Sequence, residues 1–267
     1  MQTTGKNRNT IDKFYTNPDI VKKYIDKFTP YLKHDDLIIE PSAGSGVWTI
    51  PLRNYNLIAF DIQPEAEGIQ QADFLHVDLY AFQSNLHFIG NPPFGRQSSL
   101  AKRFIKHICA CKKTQTIAFI LPKSFKKDSF KKVFPSKFHL VYQDDVGKDA
   151  FLANSKPYDV PCIFQIWIRC EFDREIPKPL KSIGFQFVKK DENPDYSLRR
   201  VGVYAGKLDT AIEDKSIQSH YFIKLNKNSD QFASKYNMVK WEHDNTVGPR
   251  SISKQEFIKV INKLVCP

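Results

Sequence analysis

The chain has 267 residues, 41% of them hydrophobic and 13% aromatic, enough for one large domain or two smaller ones with a sizeable core. The formal net charge is +11, which says nothing about fold but favours a polyanionic partner. No apolar run reaches the roughly 18 residues of a membrane-spanning helix, so no membrane association is expected. The opening "MQTTGKNRNT" has no apolar segment of a secretory leader.

In chain order, the first element is a helix over about 17–32. Thr16 or Asn17 can cap it, Pro18 suits its first turn, and Ile20, Val21, Tyr24, Ile25 and Phe28 form its apolar face. "LIIE" (37–40) reads as a buried strand running straight into "PSAGSG", after which a helix is expected. "LIAFDI" (57–62), "ADFL" (72–75) and "LHFIG" (86–90) give three more strand signals. Ser98 or Ser99 can cap a helix with Leu100, Phe104, Ile105 and Ile108 on one face. "TIAFILP" (116–122), "FHLVYQ" (138–143) and "PCIFQIWIR" (161–169) complete the strands. Strands alternating with helices predict an α/β fold, a parallel or mixed sheet covered on both faces. The last two, with no long helix between them, suit an antiparallel hairpin at one edge.

The texture changes over 171–182, where two prolines and mixed charges suggest a linker. The expected division is a first domain over 1–172, a linker over 173–182 and a small α+β region over 183–267 with a role in substrate recognition. Its last helix starts at Ser253, with Glu256 completing a capping box and Phe257, Ile258, Ile261 and Leu264 facing inward. The five cysteines fit neither a disulfide framework nor a zinc site, so idle thiols and no metal are expected.

Two segments carry chemistry. In "EPSAGSG" (40–46), Gly44 and Gly46 allow a tight turn and close approach of a ligand. Asp61 ends the second strand, where an acid can accept both hydroxyls of a ribose. Asp73 and Phe74 follow near the third. Glu40, Asp61 and Asp73 at consecutive strand ends suit a nucleoside with a positively charged tail; singly, each could be a loop cap or a solvated charge. The sequence lacks GxxxxGK[ST], which argues against phosphate transfer, and the full GxGxxG of a dinucleotide site. The second segment is "GNPPFG" (90–95). Pro92 and Pro93 fix φ twice, and Asn91 before them is driven to an extended conformation. The product is a stiff elbow at a strand end that offers an amide side chain and carbonyls as acceptors.

Together these segments resemble the S-adenosylmethionine-dependent amino-methyltransferases. "EPSAGSG" looks like their motif I, "NPPFG" like motif IV, "DKFYTNP" (12–18) like motif X and "ADFL" like motif III. The motif order is similar to that of the γ class of DNA adenine-N6 methyltransferases, over about residues 12–170. The resemblance implies a Rossmann-like methyltransferase fold with a mixed seven-stranded sheet. It implies that Thr16 holds the methionine carboxylate of S-adenosylmethionine, and that Glu40 and the Ala43–Gly46 backbone hold the methionine end. Asp61 would take the ribose hydroxyls, Ile62 would lie against the adenine, Asp73 would bind its amino group and Phe74 would flank it. Asn91 and Pro92 would receive the target amine, with Pro93 stiffening the elbow and Phe94 stacking on the base.

That assignment has a chemical logic. The exocyclic amine of adenine is a poor nucleophile because its lone pair is shared with the ring. Two acceptors at its N–H groups pull it towards a pyramidal geometry, so catalysis is mostly positioning and electrostatics and needs no histidine or carboxylate base. A paired base must first be flipped or already single-stranded. Tyr158 in "SKPYDVP" is the candidate for a second stacking face, against ordinary packing of a loop aromatic. The lysines of "LPKSFKKDSFKKVFPSKF" (121–138), Lys123, Lys126 and Lys127 first among them, are candidates for phosphate contact; the alternative is a solvated amphipathic helix with its Phe residues in the core. Arg199 and Arg200 are a second, weaker candidate. DNA ranks ahead of RNA as partner. Adenine-N6 or guanine-N2 methylation of RNA, and an inactive nucleic-acid-binding subunit, are the alternatives. A partner subunit or a homodimer stays open. The expected setting is the cytoplasm or nucleoid, or the host cytoplasm if the Lys-, Asn- and Ile-rich usage is viral rather than bacterial.

Overall fold

The computed structural model describes residues 15–148, 150–153, 156–158, 160–226, 232–237, 239–241 and 250–265. The chain divides into two compact units, one up to Ile176 and one from Pro177 on.

The first unit is built on seven strands: β1 (Leu37–Glu40), β2 (Leu57–Asp61), β3 (Ile69–Gln71), β4 (Leu86–Gly90), β5 (Thr114–Pro122), β6 (Phe138–Asp145) and β7 (Cys162–Arg169). Their spatial order is β3-β2-β1-β4-β5-β7-β6. Neighbours from β3 to β5 are parallel, and β7 runs antiparallel to both β5 and β6. This is a mixed, Rossmann-like seven-stranded sheet, as expected. The two late strands pair as an antiparallel hairpin at one edge, as expected, with β6 outermost and β7 between it and β5.

Strand alternation explains the two-sided core. Leu37, Ile39, Phe88, Ile117 and Phe119 point to the face covered by helix α2 (Ser99–Ala110) through Phe104, Ile105 and Ile108. Ile38, Ile89, Ala118 and Ile120 point to the face covered by helix α1 (Pro18–Phe28) through Val21, Tyr24, Ile25 and Phe28. Each such fully buried side chain contributes roughly 1.5–3 kcal/mol of transfer free energy. Gln165 is a buried polar residue of β7; it donates to Phe125 O and Gln143 Oε1 and accepts from Trp167 Nε1.

Several local expectations change. Helix α1 ends at Phe28 and tightens into a 3-10 turn over Thr29–Tyr31, because Pro30 cannot supply the next backbone donor. Its cap is Asn17, whose side chain accepts from Asp19 N, while Thr16 lies in a two-residue strand paired with Phe151. No α-helix follows the glycine loop: turns lead to a 3-10 segment at Ile50–Leu52, where Pro51 interrupts the ladder. The third strand is Ile69–Gln71, ahead of the predicted "ADFL". Its two glutamines are exposed at the sheet edge and hide it from an apolar search, while Asp73 caps a 3-10 turn at Phe74–His76. Ser98 precedes α2 without capping it; that helix instead finds an acceptor in Phe94 O, 3.1 Å from Leu100 N and 3.3 Å from Ala101 N.

The second unit is a four-stranded antiparallel sheet of β8 (Phe185–Val188), β9 (Tyr196–Arg199), β10 (Leu208–Asp209) and β11 (His220–Leu225), in the order β8-β11-β9-β10. Phe185, Leu198 and Ile223 pack against Phe257, Ile258 and Ile261 of a C-terminal helix, Lys254–Val265. The predicted capping box is present: Ser253 N donates to Glu256 Oε2 and Glu256 N to Ser253 Oγ. The segment 173–182 is tied down at both ends. Arg174 donates to the carbonyls of Lys131, Phe134 and Phe138, whereas Leu180 and Lys181 bond Gln255 and Asn262. Cys109, Cys111 and Cys170 are free thiols. No described helix is long and apolar enough to cross a membrane.

Candidate active site

The carboxyl ends of β1, β2 and β4 open into one cavity of about 450 Å³. It lies where the strand order reverses, the usual ligand position in an open α/β sheet. Thr16, Glu40, Ala43, Gly44, Asp61, Ile62, Asp73, Phe74 and the elbow Asn91–Phe94 all line it, so the structure brings together residues that span nearly eighty positions of sequence.

Glu40 is the last residue of β1 and is 1% exposed. Its Oε2 accepts from the Thr49 hydroxyl; its Oε1 has no partner among the described residues. Burial pushes its carboxyl up to about 8, opposed by the Thr49 hydrogen bond and reinforced by the negative charge of Asp61. Thr16 is equally buried, and its Oγ1 also lacks a partner among the described residues. Two buried acceptors left open in one cavity are expensive unless a ligand completes them.

The glycine loop lines the same cavity through Ala43, Gly44 and Ser45, whereas Gly46, expected to contact the cofactor, does not line it. Gly44 and Gly46 have φ of +50° and +78°, a region that disfavours any side chain. Asp61 organises the loop: Oδ2 accepts from Gly44 N at 2.7 Å and Oδ1 from Gln63 N at 2.7 Å. Each carboxylate oxygen retains a further lone pair, so the loop contact and a ribose contact are compatible. Ile62 beside it is 49% exposed, an apolar surface open to a flat ring. Asp73 takes the capping role, accepting from Leu75 N at 3.0 Å with His76 Nδ1 3.0 Å from its other oxygen. Phe74 is 1% exposed and sits among Phe60, Phe88, Phe104 and His107, so it belongs first to the core.

The elbow is held from both ends. Gly90, at φ +140°, closes β4, and a Cβ there would lie 3.4 Å from Glu40 Cγ. That is ordinary contact, so it is the positive φ that calls for glycine where the elbow starts beside the buried carboxyl. Ser42 Oγ donates to Asn91 O at 3.2 Å and ties the glycine loop to the elbow. At the far end, a Cβ on Gly95 would lie 2.9 Å from Leu100 Cβ, so Phe94 is delivered to α2 through a position only glycine fills. Neither Ser42 nor Gly90 stood out in the sequence, though both lie within the two segments. Arg103 of α2 also reaches the cavity. Tyr15 Oη donates to Glu65 Oε2 at 2.6 Å, joining two more lining residues.

The lysine stretch has an acidic neighbour that the sequence did not show. Lys123 and Lys126 both lie near Asp145, at 3.7 and 3.0 Å, and their side chains are 21% exposed. Phe125 and Phe134 are in the core, the stretch is a 3-10 turn (Lys123–Lys126) and one helical turn (Asp128–Lys131) and not an amphipathic helix, and Asp145 offsets charge that phosphate contact would need. Lys127 is half-buried and does not line the cavity. Tyr158 falls in a short strand paired with Phe151, and its side chain lies outside the described residues.

No family model matches the sequence, and no curated protein is significantly similar to it. Solved structures resemble the fold. The 23S rRNA methyltransferase ErmE is 14% identical at a TM-score of 0.46, covering 60% of this chain and 71% of its own. A Vibrio vulnificus protein named as the modification subunit of a type I restriction enzyme is 13% identical at 0.46, covering 61% and 46%. A Pyrococcus horikoshii protein named as an RNA methyltransferase is 13% identical at 0.46, covering 63% and 94%.

Proposed function

We propose that the chain is an S-adenosylmethionine-dependent methyltransferase acting on the exocyclic N6 of adenine in DNA. The observation that carries this is the elbow Asn91–Phe94 opening into the same cavity as the two unpartnered buried acceptors, Glu40 Oε1 and Thr16 Oγ1.

The residues present fit the cofactor. Its charged amino-acid end matches Glu40, Thr16 and the Ala43–Ser45 backbone, and its nucleoside matches Asp61 and the exposed face of Ile62. Asp73 borders the same cavity and completes the set for the adenine amino group. The cofactor supplies an electrophilic methyl group. The remaining work belongs to the protein.

Asn91 Oδ1 and the Pro92 carbonyl accept the two N–H groups of the target amine and turn its lone pair out of conjugation. Phe94 stacks on the base, and Pro92 with Pro93 keeps the acceptors from relaxing away. The amine becomes acidic once alkylated, so its proton leaves to solvent without a dedicated base. Fixed acceptors of this kind typically contribute 10²–10³-fold in rate. DNA is placed ahead of RNA on the motif order, with the excess positive charge serving either polyanion.

The test is methyl transfer from labelled cofactor to duplex DNA, single-stranded DNA and RNA in parallel, with digestion to nucleosides. N6-methyladenine from DNA is expected, lost by roughly 10²-fold or more in Asn91→Ala while cofactor binding persists. Label in RNA alone would keep the elbow chemistry and replace the substrate. Absence of cofactor binding would refute the enzyme.

A further inference from the structure

A second cavity, of about 810 Å³, lies within the C-terminal unit. It is lined by cations from three separate elements: Lys189 and Lys190 just after β8, Arg200 just after β9, and Lys254 at the start of the C-terminal helix α3 (Lys254–Val265). Their arrangement is built. Lys254 Nζ stands 4.7 Å from the ring centre of Phe187 and 5.9 Å from that of Tyr221, and the Arg200 guanidinium 5.4 Å from Tyr221. The two rings meet edge to face at 5.4 Å. Arg200 spends Nε and Nη2 on the carbonyl of Gln218, which fixes the plane of the guanidinium and leaves its remaining donors for another acceptor. Lys190 Nζ is steered by the Glu213 carbonyl at 2.6 Å.

None of these four cations has a carboxylate partner among the described residues. Lys215 shows the contrast, with Asp209 and Asp214 both within 3.3 Å. Asp191 and Glu213 also line the cavity, but the positive groups outnumber them. The capping box at Ser253 and Glu256 already serves the helix end, so the attraction comes from side chains.

We propose that this cleft is a sequence-independent seat for the sugar-phosphate backbone of the nucleic-acid substrate. It rests on the substrate being a nucleic acid, as proposed above, and adds where that substrate is held outside the catalytic cavity. The cations cover the ring faces of Phe187 and Tyr221, so the rings serve as platforms for the charges and not for bases. Charged donors on three elements suit successive phosphates, which position a strand without reading it. The cleft therefore takes the role that Asp145 weakens at Lys123 and Lys126.

The test uses the full chain and labelled oligonucleotides of DNA and RNA, with anisotropy read across a salt series. Arg200→Ala with Lys254→Ala, and separately Lys189→Ala with Lys190→Ala, should each weaken binding by roughly tenfold or more and lower the log–log salt slope by about two. Affinity for S-adenosylhomocysteine should not move, and Arg200→Lys with Lys254→Arg should restore most of the binding. Unchanged affinity and slope in both double variants would overturn the assignment, even if the enzyme methylates DNA. Equal binding of poly-glutamate would overturn it in favour of an acidic polypeptide. A wild-type chain that binds no nucleic acid would remove both this inference and the substrate reading beneath it.

Discussion

Replacing Glu40 by Gln separates what the fold tolerates from what the ligand needs. The free carboxyl, displaced from 4.5 to about 8 by burial, is mostly protonated at neutral pH. An acid whose folded value is raised favours the folded state below its unfolded value, and that contribution is lost as pH rises towards about 8. At 1.36 kcal/mol per decade the full displacement is worth roughly 3–5 kcal/mol. The Gln variant keeps the neutral shape and the Thr49 contact but cannot ionise. Free wild type and variant should therefore be nearly equal in stability near pH 5. By pH 9 the variant should melt higher, by about 6–20 °C given ~2–4 °C per kcal/mol for a chain of this size. Binding behaves oppositely. A positively charged amino group beside Glu40 demands the ionised form, so wild type should release about one proton on binding S-adenosylhomocysteine at pH 7. Its affinity should climb roughly tenfold per pH decade until about 8 and level off above it, where the carboxyl is already ionised. Calorimetry in two buffers of different ionisation enthalpy reads the proton directly. A variant that binds as tightly as wild type, or a stability difference that does not grow with pH, would refute the placement of the cationic ligand at Glu40.

Other perturbations address the elbow and the basic face. Gly90→Ala should cost about 1–3 kcal/mol in urea unfolding, because its positive φ disfavours any side chain, and should reduce single-turnover methyl transfer more than that loss explains. Ser42→Ala removes the hydroxyl held by Asn91 O; a loss of about 1 kcal/mol, or roughly fivefold in kcat at unchanged cofactor affinity, is expected from transfer kinetics. Asp145→Asn should change stability by less than about 1 kcal/mol, since its lysine contacts are partly solvated. It should strengthen nucleic-acid binding in a salt titration if those lysines touch phosphate, and leave it unaltered if the C-terminal cleft carries the contact.

The sequence by itself determined most strands of the first sheet, the two main helix faces and the local stiffness of the elbow. These are local properties. Apolar runs such as "LIIE" and "LHFIG" have no alternative to a buried strand in this pattern, and the doubled proline after Asn91 stiffens the chain wherever it sits. The capping box at Ser253 and Glu256 is likewise a short-range device and formed as its spacing demands. What stayed hidden depends on neighbours distant in the chain. The strand Ile69–Gln71 looks polar because its glutamines sit at a sheet edge, and β7 enters between β5 and β6 through pairing that no local pattern encodes. Asp73 could have been a ligand or a cap from its position alone, and only the fold shows that its backbone neighbour uses it as a cap. Lys123 and Lys126 looked free until folding brought Asp145 beside them, while Lys189, Lys190, Arg200 and Lys254 looked scattered until the C-terminal sheet gathered them. Charge and hydrogen-bond partnership are set by distances through space, and those distances exist only once the chain has folded.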